Sequence, residues 1–190
     1  KLNNTGLALF GQSTFQLTPK LQITGGLRYD VENKKGDVRV FRVDSLFAVT
    51  NIITDTSYNV DFSALSPELN LSFQITKQQL LYIDYARGFR AGGNNIYTTL
   101  EDFGTYDPEY SNNIELGYKF ISANKNYDAQ VALFYLNWQN MQLDLQAAPG
   151  EWVIDNIGNV IAKGAEIEFQ VIPLVGTFIQ TAIGINNAHY

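Results

Sequence analysis

The sequence predicts an all-β protein, an antiparallel meander of about eight strands from a transmembrane β-barrel. Three observations support this prediction. Eight segments alternate apolar and polar residues, and almost every charge within them falls on one of the two faces. The connections between these segments are alternately short and long. The chain is also rich in aromatic residues, with 11 tyrosines and 12 phenylalanines.

The alternation locates the strands, because a period of two residues is the geometry of a β-strand. The predicted strands are 7–17, 20–31, 65–75, 80–89, 110–121, 127–142, 157–171 and 177–188. We expect them to pair in sequence order. No apolar run is long enough for a spanning helix, so only strands can carry this chain across a membrane.

Each strand in turn carries an uncharged apolar face. On the first four strands this face consists of Leu7, Leu9, Gly11, Ser13, Phe15, Leu17; Leu21, Ile23, Gly25, Leu27, Tyr29, Val31; Leu65, Pro67, Leu69, Leu71, Phe73, Ile75; Leu81, Ile83, Tyr85. On the last four it consists of Ile114, Leu116, Tyr118, Phe120; Tyr127, Ala129, Val131, Leu133, Tyr135; Ala165, Ile167, Phe169, Val171; Ile179, Thr181, Ile183, Ile185. Soluble sandwiches also alternate, but eight such segments in succession favour a membrane barrel.

The lengths of the connections indicate which end of the predicted barrel is periplasmic and which is external. The short ones lie near 18–20, 76–79, 122–126 and 173–176, and the long ones span 32–61, 91–109 and 143–156. Outer-membrane barrels have short periplasmic turns and long external loops, whereas loops of a soluble sandwich vary in length without such sorting.

Several aromatic residues share the apolar face close to the short turns. They are Phe15, Phe73, Phe120, Tyr127 and Phe169. Barrels carry aromatic girdles at the membrane interfaces, so we expect these five rings to lie at one level. The general preference of strands for aromatic residues is the alternative explanation.

The charges of the strands lie opposite the apolar face. They are Arg28, Asp30, Glu68, Asp84, Glu115, Lys119, Glu166 and Glu168. In a closed barrel this face is the lumen, and an Arg or Lys facing lipid near the midplane would cost about 2–4 kcal/mol. These side chains either grip a partner inside the lumen or line a solvated interior that needs no specific partner.

The composition argues against several functions. A net charge of −6 argues against a nucleic-acid partner. The only histidine is His189, so a Ser-His-Asp triad or a histidine metal cluster cannot be argued. Glu166 and Glu168 are about 6–7 Å apart on one strand face, which fits a polar barrel wall better than a glycosidase. The sequence therefore predicts neither an enzyme nor a bound metal or cofactor.

A glycine-rich segment at 88–93 begins the second long connection. No strand-to-helix transition follows, so a nucleotide-binding loop is not expected. The segment instead suggests a strand end and a loop that presents ligand candidates, which are Arg90, Asn94, Asn95 and Tyr97. A bulge at the start of a loop is the alternative. Arg87 continues the apolar parity, so either it snorkels to the membrane interface or the register changes near the glycines.

Ordered motifs along nearly the whole chain resemble successive barrel strands of TonB-dependent outer-membrane receptors. They are Phe10-Gly11-Gln12, 21–30, 66–71, 85–93, Tyr106-Asp107-Pro108-Glu109, 114–119, 132–138, 141–143, 156–159 and 163–168. The segment 88–93 together with 106–109 is similar to the ferric-siderophore branch of that family. The resemblance rests on the order of the motifs more than on any one of them.

The resemblance implies a barrel of about 22 strands with a plugged lumen. Residues 1–190 would then be part of one barrel domain, with the plug and the closing strands outside this stretch. The expected partners are outer-membrane lipid, the TonB complex acting through the plug, and a ferric siderophore or similar cargo, in the outer membrane of a Gram-negative bacterium. Alternatives are a self-contained eight-stranded outer-membrane barrel with a structural or adhesive role, and a soluble all-β binding module.

Overall fold

The computed structural model describes residues 1–43, 49–95, 98 and 104–190, with side chains given outside 40–56. Its strands are β1 (Leu2–Gln16), β2 (Leu21–Val43), β3 (Val49–Thr76), β4 (Gln79–Arg90), β5 (Gly93–Asn94), β6 (Thr105–Tyr106), β7 (Glu109–Ile121), β8 (Tyr127–Gln139), β9 (Gln142–Ala148), β10 (Glu151–Asn156), β11 (Val160–Val171) and β12 (Ile179–His189). Within the described ranges, no helix is long and apolar enough to cross a membrane.

Eight strands form one antiparallel sheet in the order β1-β2-β3-β4-β7-β8-β11-β12. This confirms the predicted all-β meander, because consecutive segments pair as neighbours. The four short turns lie at one end of the sheet, the turn end, and the long connections lie at the other, the loop end. β1 and β12 remain at the two edges, so these strands do not close into a small barrel of their own.

The predicted long connections contain additional strands. β2 and β3 continue through most of 32–61, and the connection 143–156 folds into the hairpin β9–β10. The predicted strand 127–142 is interrupted after Gln139, where Asn140 has a φ of 52°. In β2 beyond Val31 the parity reverses, because Gly36 and Val38 are buried whereas Lys35, Asp37 and Arg39 on the other face are exposed. The apolar face therefore ends near Val31, although the backbone pairing continues.

The apolar face of the sheet is exposed in a way that a soluble sandwich would not allow. Leu27 is 49% exposed, Leu133 is 51% exposed and Ile167 is 51% exposed. Phe15, at 62%, and Tyr127, at 48%, also lie open rather than in a compact core. A soluble sandwich would cover such side chains with a second layer.

The five predicted girdle rings follow a simple path across the sheet. The register row through Phe15 passes through Ile23, Leu71, Ile83, Leu116, Leu133 and Ala165. The other rings lie nearer the turn end than this row. The offset is two residues for Phe73 on β3, four for Phe120 on β7, six for Tyr127 on β8 and four for Phe169 on β11.

The path of the rings therefore drifts by about one residue per strand. A residue rises about 3.3 Å along a strand, and neighbouring strands are about 4.8 Å apart. A strand tilt of about 35° would bring these rings to one level, and membrane barrels tilt their strands by about 35–45°. The common level itself remains a prediction for the closed barrel.

Candidate functional site

All eight predicted lumen charges lie on one face of the sheet. The register fixes this, because directly paired residues share a face. Asp84 pairs with Asn70 on one side and with Glu115 on the other. Lys119, Gln130 and Glu168 form another row of the same face. Whether this face lines a lumen depends on closure of the barrel, so that part stays a prediction.

The middle of this polar face carries a hydrogen-bonded network. The Tyr82 hydroxyl donates to Glu115 Oε1 at 2.7 Å, and Lys119 Nζ lies 5.2 Å from the centroid of the Tyr82 ring. Next to it, Asn70 Nδ2 donates to Asp84 Oδ1 at 2.5 Å. These bonds hold Asp84 and Glu115, two carboxylates in directly opposite positions, in fixed orientations.

Other members of the set are paired locally or are exposed. Arg28 Nη2 forms a salt bridge with Asp30 Oδ1 at 2.7 Å. Glu68, Glu166 and Glu168 are exposed. The polar face therefore combines a fixed central network with acidic side chains that remain accessible to a partner.

A second cluster lies at the loop end, around the buried carboxylate of Glu109. This side chain is 8% exposed and lies 3.5 Å from Arg90 Nη1, whereas the Arg90 side chain is 59% exposed. The backbone N–H of Gln142 donates to Glu109 Oε2 at 2.7 Å. The carboxylate therefore holds Arg90 from one side and the start of β9 from the other.

The side chain of Gln142 extends this cluster. Its Nε2 donates to the carbonyl of Ala91 at 3.1 Å and to the carbonyl of Asp107 at 2.9 Å. Gln142 is 5% exposed. One buried amide thus joins the ends of β4 and β9 to the segment that precedes β7.

Two asparagines fasten the small hairpin β5–β6 and the hairpin β9–β10 to each other. Asn95 Nδ2 donates to the carbonyl of Ile154 at 2.8 Å, and the N–H of Ile154 donates to Asn95 Oδ1 at 2.8 Å. Asn156 makes a similar reciprocal pair with the backbone of Asp107, at 2.6 and 3.0 Å. Each amide acts like one peptide unit of an extra strand, so we expect the two hairpins to move together.

Tyr106 and Lys34 make further contacts at the loop end, next to the hairpin β5–β6. Burial raises the pKa of the Tyr106 phenol, an effect that the positive charge of Arg90 partly opposes. Gly93 lies directly opposite Tyr106, where a Cβ would collide with the ring. Lys34 Nζ donates to the carbonyl of Gly92 at 2.7 Å, which ties the extended part of β2 to this hairpin.

The four sequence-predicted ligand candidates have different surroundings. Arg90 is exposed and charged beside Glu109, and Asn94 is half-buried in β5. Asn95 uses its amide to hold the hairpins. Tyr97 lies outside the described residues. Sequence reasoning did not single out Glu109, Gln142 or Asn156 as site residues. Their only signal was that they lie in the family-like motifs 106–109, 141–143 and 156–159.

The register rules out one of the two interpretations of Arg87. β4 pairs with β7 without interruption from Gln79 to Arg90, so no register change occurs near the glycines. Arg87 therefore lies on the apolar face. Its guanidinium carbon is 4.4 Å from the centroid of the Tyr110 ring, a cation–π geometry.

Comparison with known proteins gives a family and a fold. Residues 1–187 match the family model described as TonB dependent receptor-like, beta-barrel. Among solved structures, the chain is similar to the ferric yersiniabactin uptake receptor FyuA from Yersinia pestis, with 23% identity, a TM-score of 0.79, and coverage of 98% of this chain and 28% of that one.

Two further receptors show the same architecture. The siderophore receptor PiuA from Acinetobacter baumannii has 19% identity and a TM-score of 0.71, with coverage of 98% of this chain and 26% of that one. The hemophore receptor HasR of Serratia marcescens has 17% identity and a TM-score of 0.72, with coverage of 95% and 33%. The chain thus spans between 26% and 33% of the lengths of these three proteins.

Proposed function

This chain belongs to the TonB-dependent receptor β-barrel family, and on that premise we propose that it forms part of the wall of an outer-membrane receptor that imports a ferric siderophore. Membership places it in a family of receptors rather than enzymes. Residues 1–190 are proposed to be one portion of a single barrel domain, with the plug and the closing strands supplied by the rest of a longer protein.

The sheet supports the proposed membrane arrangement through its two unlike faces. The apolar face would meet lipid, while the face with Glu68, Asp84, Glu115 and Glu166 would line the lumen. The reverse arrangement would place ionised groups in hydrocarbon, which costs about 2–4 kcal/mol for each Arg or Lys near the midplane and less for Asp or Glu. The exposed acidic side chains are available to hold a plug and to release it during transport.

The observation that carries the proposed cargo site is the Arg90–Glu109 pair at the loop end. A buried carboxylate pairs with Nη1 of an arginine whose side chain nevertheless remains 59% exposed. Arg offers a permanent charge and several donors, which suits an anionic ferric chelate. Transport would begin with capture by this region, and the TonB complex would then act through the plug. The siderophore receptors FyuA and PiuA share the fold and support this class of cargo.

The test compares two substitutions in the full-length receptor. Arg90→Ala removes the proposed contact, whereas Glu109→Gln removes the salt bridge but leaves the arginine and an acceptor for the Gln142 N–H. If Arg90 contacts cargo, Arg90→Ala weakens the binding of a ferric siderophore to intact cells about tenfold. Glu109→Gln then retains or strengthens binding, because it frees the guanidinium.

A purely structural role for the pair predicts equal losses for both variants. Heat-modifiable electrophoretic mobility reports whether each barrel has assembled. Lys77→Gln, at the turn end, controls for the loss of a positive charge at a distant exposed position. Unchanged binding by a folded Arg90→Ala receptor would remove Arg90 from the cargo site, and failure of all ferric siderophores to bind the wild-type receptor would overturn the proposed cargo class.

A further inference from the structure

Two basic residues interrupt an apolar face that is otherwise uncharged over six strands. The six strands that are described in full are β1, β4, β7, β8, β11 and β12. On the apolar face of these strands, the only charged residues are Arg87 and Lys163. Both are cationic. A charge on a lipid-facing surface is costly unless it reaches an interface or a counter-charge.

Both residues lie at one height on the sheet. The register row through Arg87 passes through Asn112 and Asn137 and reaches β11 at Ile161. Lys163 lies two residues nearer the turn end, three strands away. The aromatic rings drift by about one residue per strand, so two residues at the same height three strands apart should differ by about three residues. The observed difference is two, so the heights of the two cations agree to within about 3 Å.

This height corresponds to the loop-end boundary of the apolar band. Tyr135 pairs directly with Lys163 and lies eight residues from Tyr127, the girdle ring on the same strand. Eight residues on a strand tilted by about 35° span about 22 Å, and the apolar band of membrane barrels is about 25 Å tall. Arg87, Tyr135 and Lys163 therefore fall where the membrane gives way to headgroups.

The part of the chain that the structure describes leaves the charge of Arg87 without an acceptor. Its guanidinium packs over Tyr110, whose ring centroid is 5.6 Å from that of Phe89. Its Nε is buried and has no hydrogen-bond partner among the residues the structure describes. In the same part of the chain no carboxylate forms a salt bridge with Arg87 or Lys163. The Tyr110 ring holds the guanidinium in place, and the Nη donors, rather than the buried Nε, are the ones that can bind an anion.

We propose that Arg87 and Lys163 bind the phosphate groups of anionic lipid headgroups at the loop-end interface of the membrane. A phosphate can accept two hydrogen bonds from one guanidinium and can pair with an ammonium group as a point charge. The two cations are about 16 Å apart, from three strand spacings and two residues of rise, so they engage two phosphates. This inference rests on the proposed lipid-facing orientation of the apolar face but not on the proposed cargo.

The test uses the purified full-length receptor in a non-ionic detergent. Binding of phosphatidylglycerol, which is anionic, is compared with binding of phosphatidylcholine, which is neutral overall, and of inorganic phosphate. Arg87→Gln and Lys163→Gln are each expected to reduce the preference for the anionic lipid about fivefold, and the double variant about 25-fold. Lys77→Gln, exposed at the turn end, should leave the preference unchanged.

An unchanged preference in the folded double variant overturns the proposal. Tight binding of inorganic phosphate that depends on Arg87 also overturns it, because the site would then serve a soluble anion. Heat-modifiable mobility checks assembly, and if Arg87→Gln does not assemble, the exposed Lys163→Gln decides alone. Ferric-siderophore binding is measured on the same samples. Normal cargo binding with a reduced lipid preference is the expected result, and it separates this proposal from the cargo assignment.

Discussion

Replacing Asn95 with alanine is expected to weaken the docking of the hairpin β9–β10 on the hairpin β5–β6. The Asn95 amide makes two hydrogen bonds of 2.8 Å with the backbone of Ile154, in a partly buried setting. Each such bond contributes about 1 kcal/mol net, so the pair stabilises the docked arrangement by about 2 kcal/mol. Loss of both bonds should raise the population of the undocked hairpin about 30-fold.

Hydrogen exchange followed by mass spectrometry on the full-length receptor measures this change directly. The Ile154 amide, followed in peptides that cover 151–156, should exchange about 30-fold faster in Asn95→Ala, because it loses its acceptor. The eight-stranded sheet should be unaffected. Asn94→Ala, a matched control one residue earlier, should change little. Equal exchange of 151–156 in wild type and Asn95→Ala would refute the interlocked-hairpin interpretation.

Two further predictions concern single positions. Gly117→Ala places a Cβ against the Tyr82 ring and breaks its hydrogen bond to Glu115; we expect a loss of about 1–3 kcal/mol, seen as a lower midpoint of heat-modifiable mobility. Gly25→Ala, which meets open space, is its control, and equal midpoints would contradict the packing argument. Because burial raises the pKa of Tyr106, the docked loop end should be stable below pH about 10 and should loosen as pH rises further. Tyr106→Phe should abolish this alkaline loss in hydrogen exchange, and an identical pH profile would contradict it.

The strands of the sheet could be predicted because their pattern is local. Each face is set by residues two positions apart, and the apolar side of β11, with Ile167 and Phe169, is readable without its neighbours. The order of the strands followed from the alternation of short and long connections. The face shared by Asp84 and Glu115 followed from the same parity, once the strands paired in register.

The loop end could not be predicted in the same way, because its contacts join residues that are far apart in sequence. Asn95 and Ile154 are separated by 59 positions, and Gln142 and Ala91 by 51. Their hydrogen bonds are between side chains and backbone, which leave no periodic signal. Arg87 remained ambiguous for a related reason, since its position depends on an uninterrupted pairing with β7 that only the structure reveals.

The central claim is that one face of this sheet meets lipid and the other lines a lumen. Residues 1–190 contain no cysteine, so single cysteines can be placed one at a time on β11 in the full-length receptor at Glu166, Ile167, Glu168 and Phe169. Each is labelled with a polarity-sensitive fluorophore in membranes that contain a lipid-borne quencher. We predict blue-shifted, quenched emission at 167 and 169 and unquenched emission at 166 and 168. Quenching at 166 and 168, or no alternation at all, would contradict the proposed orientation of the barrel wall.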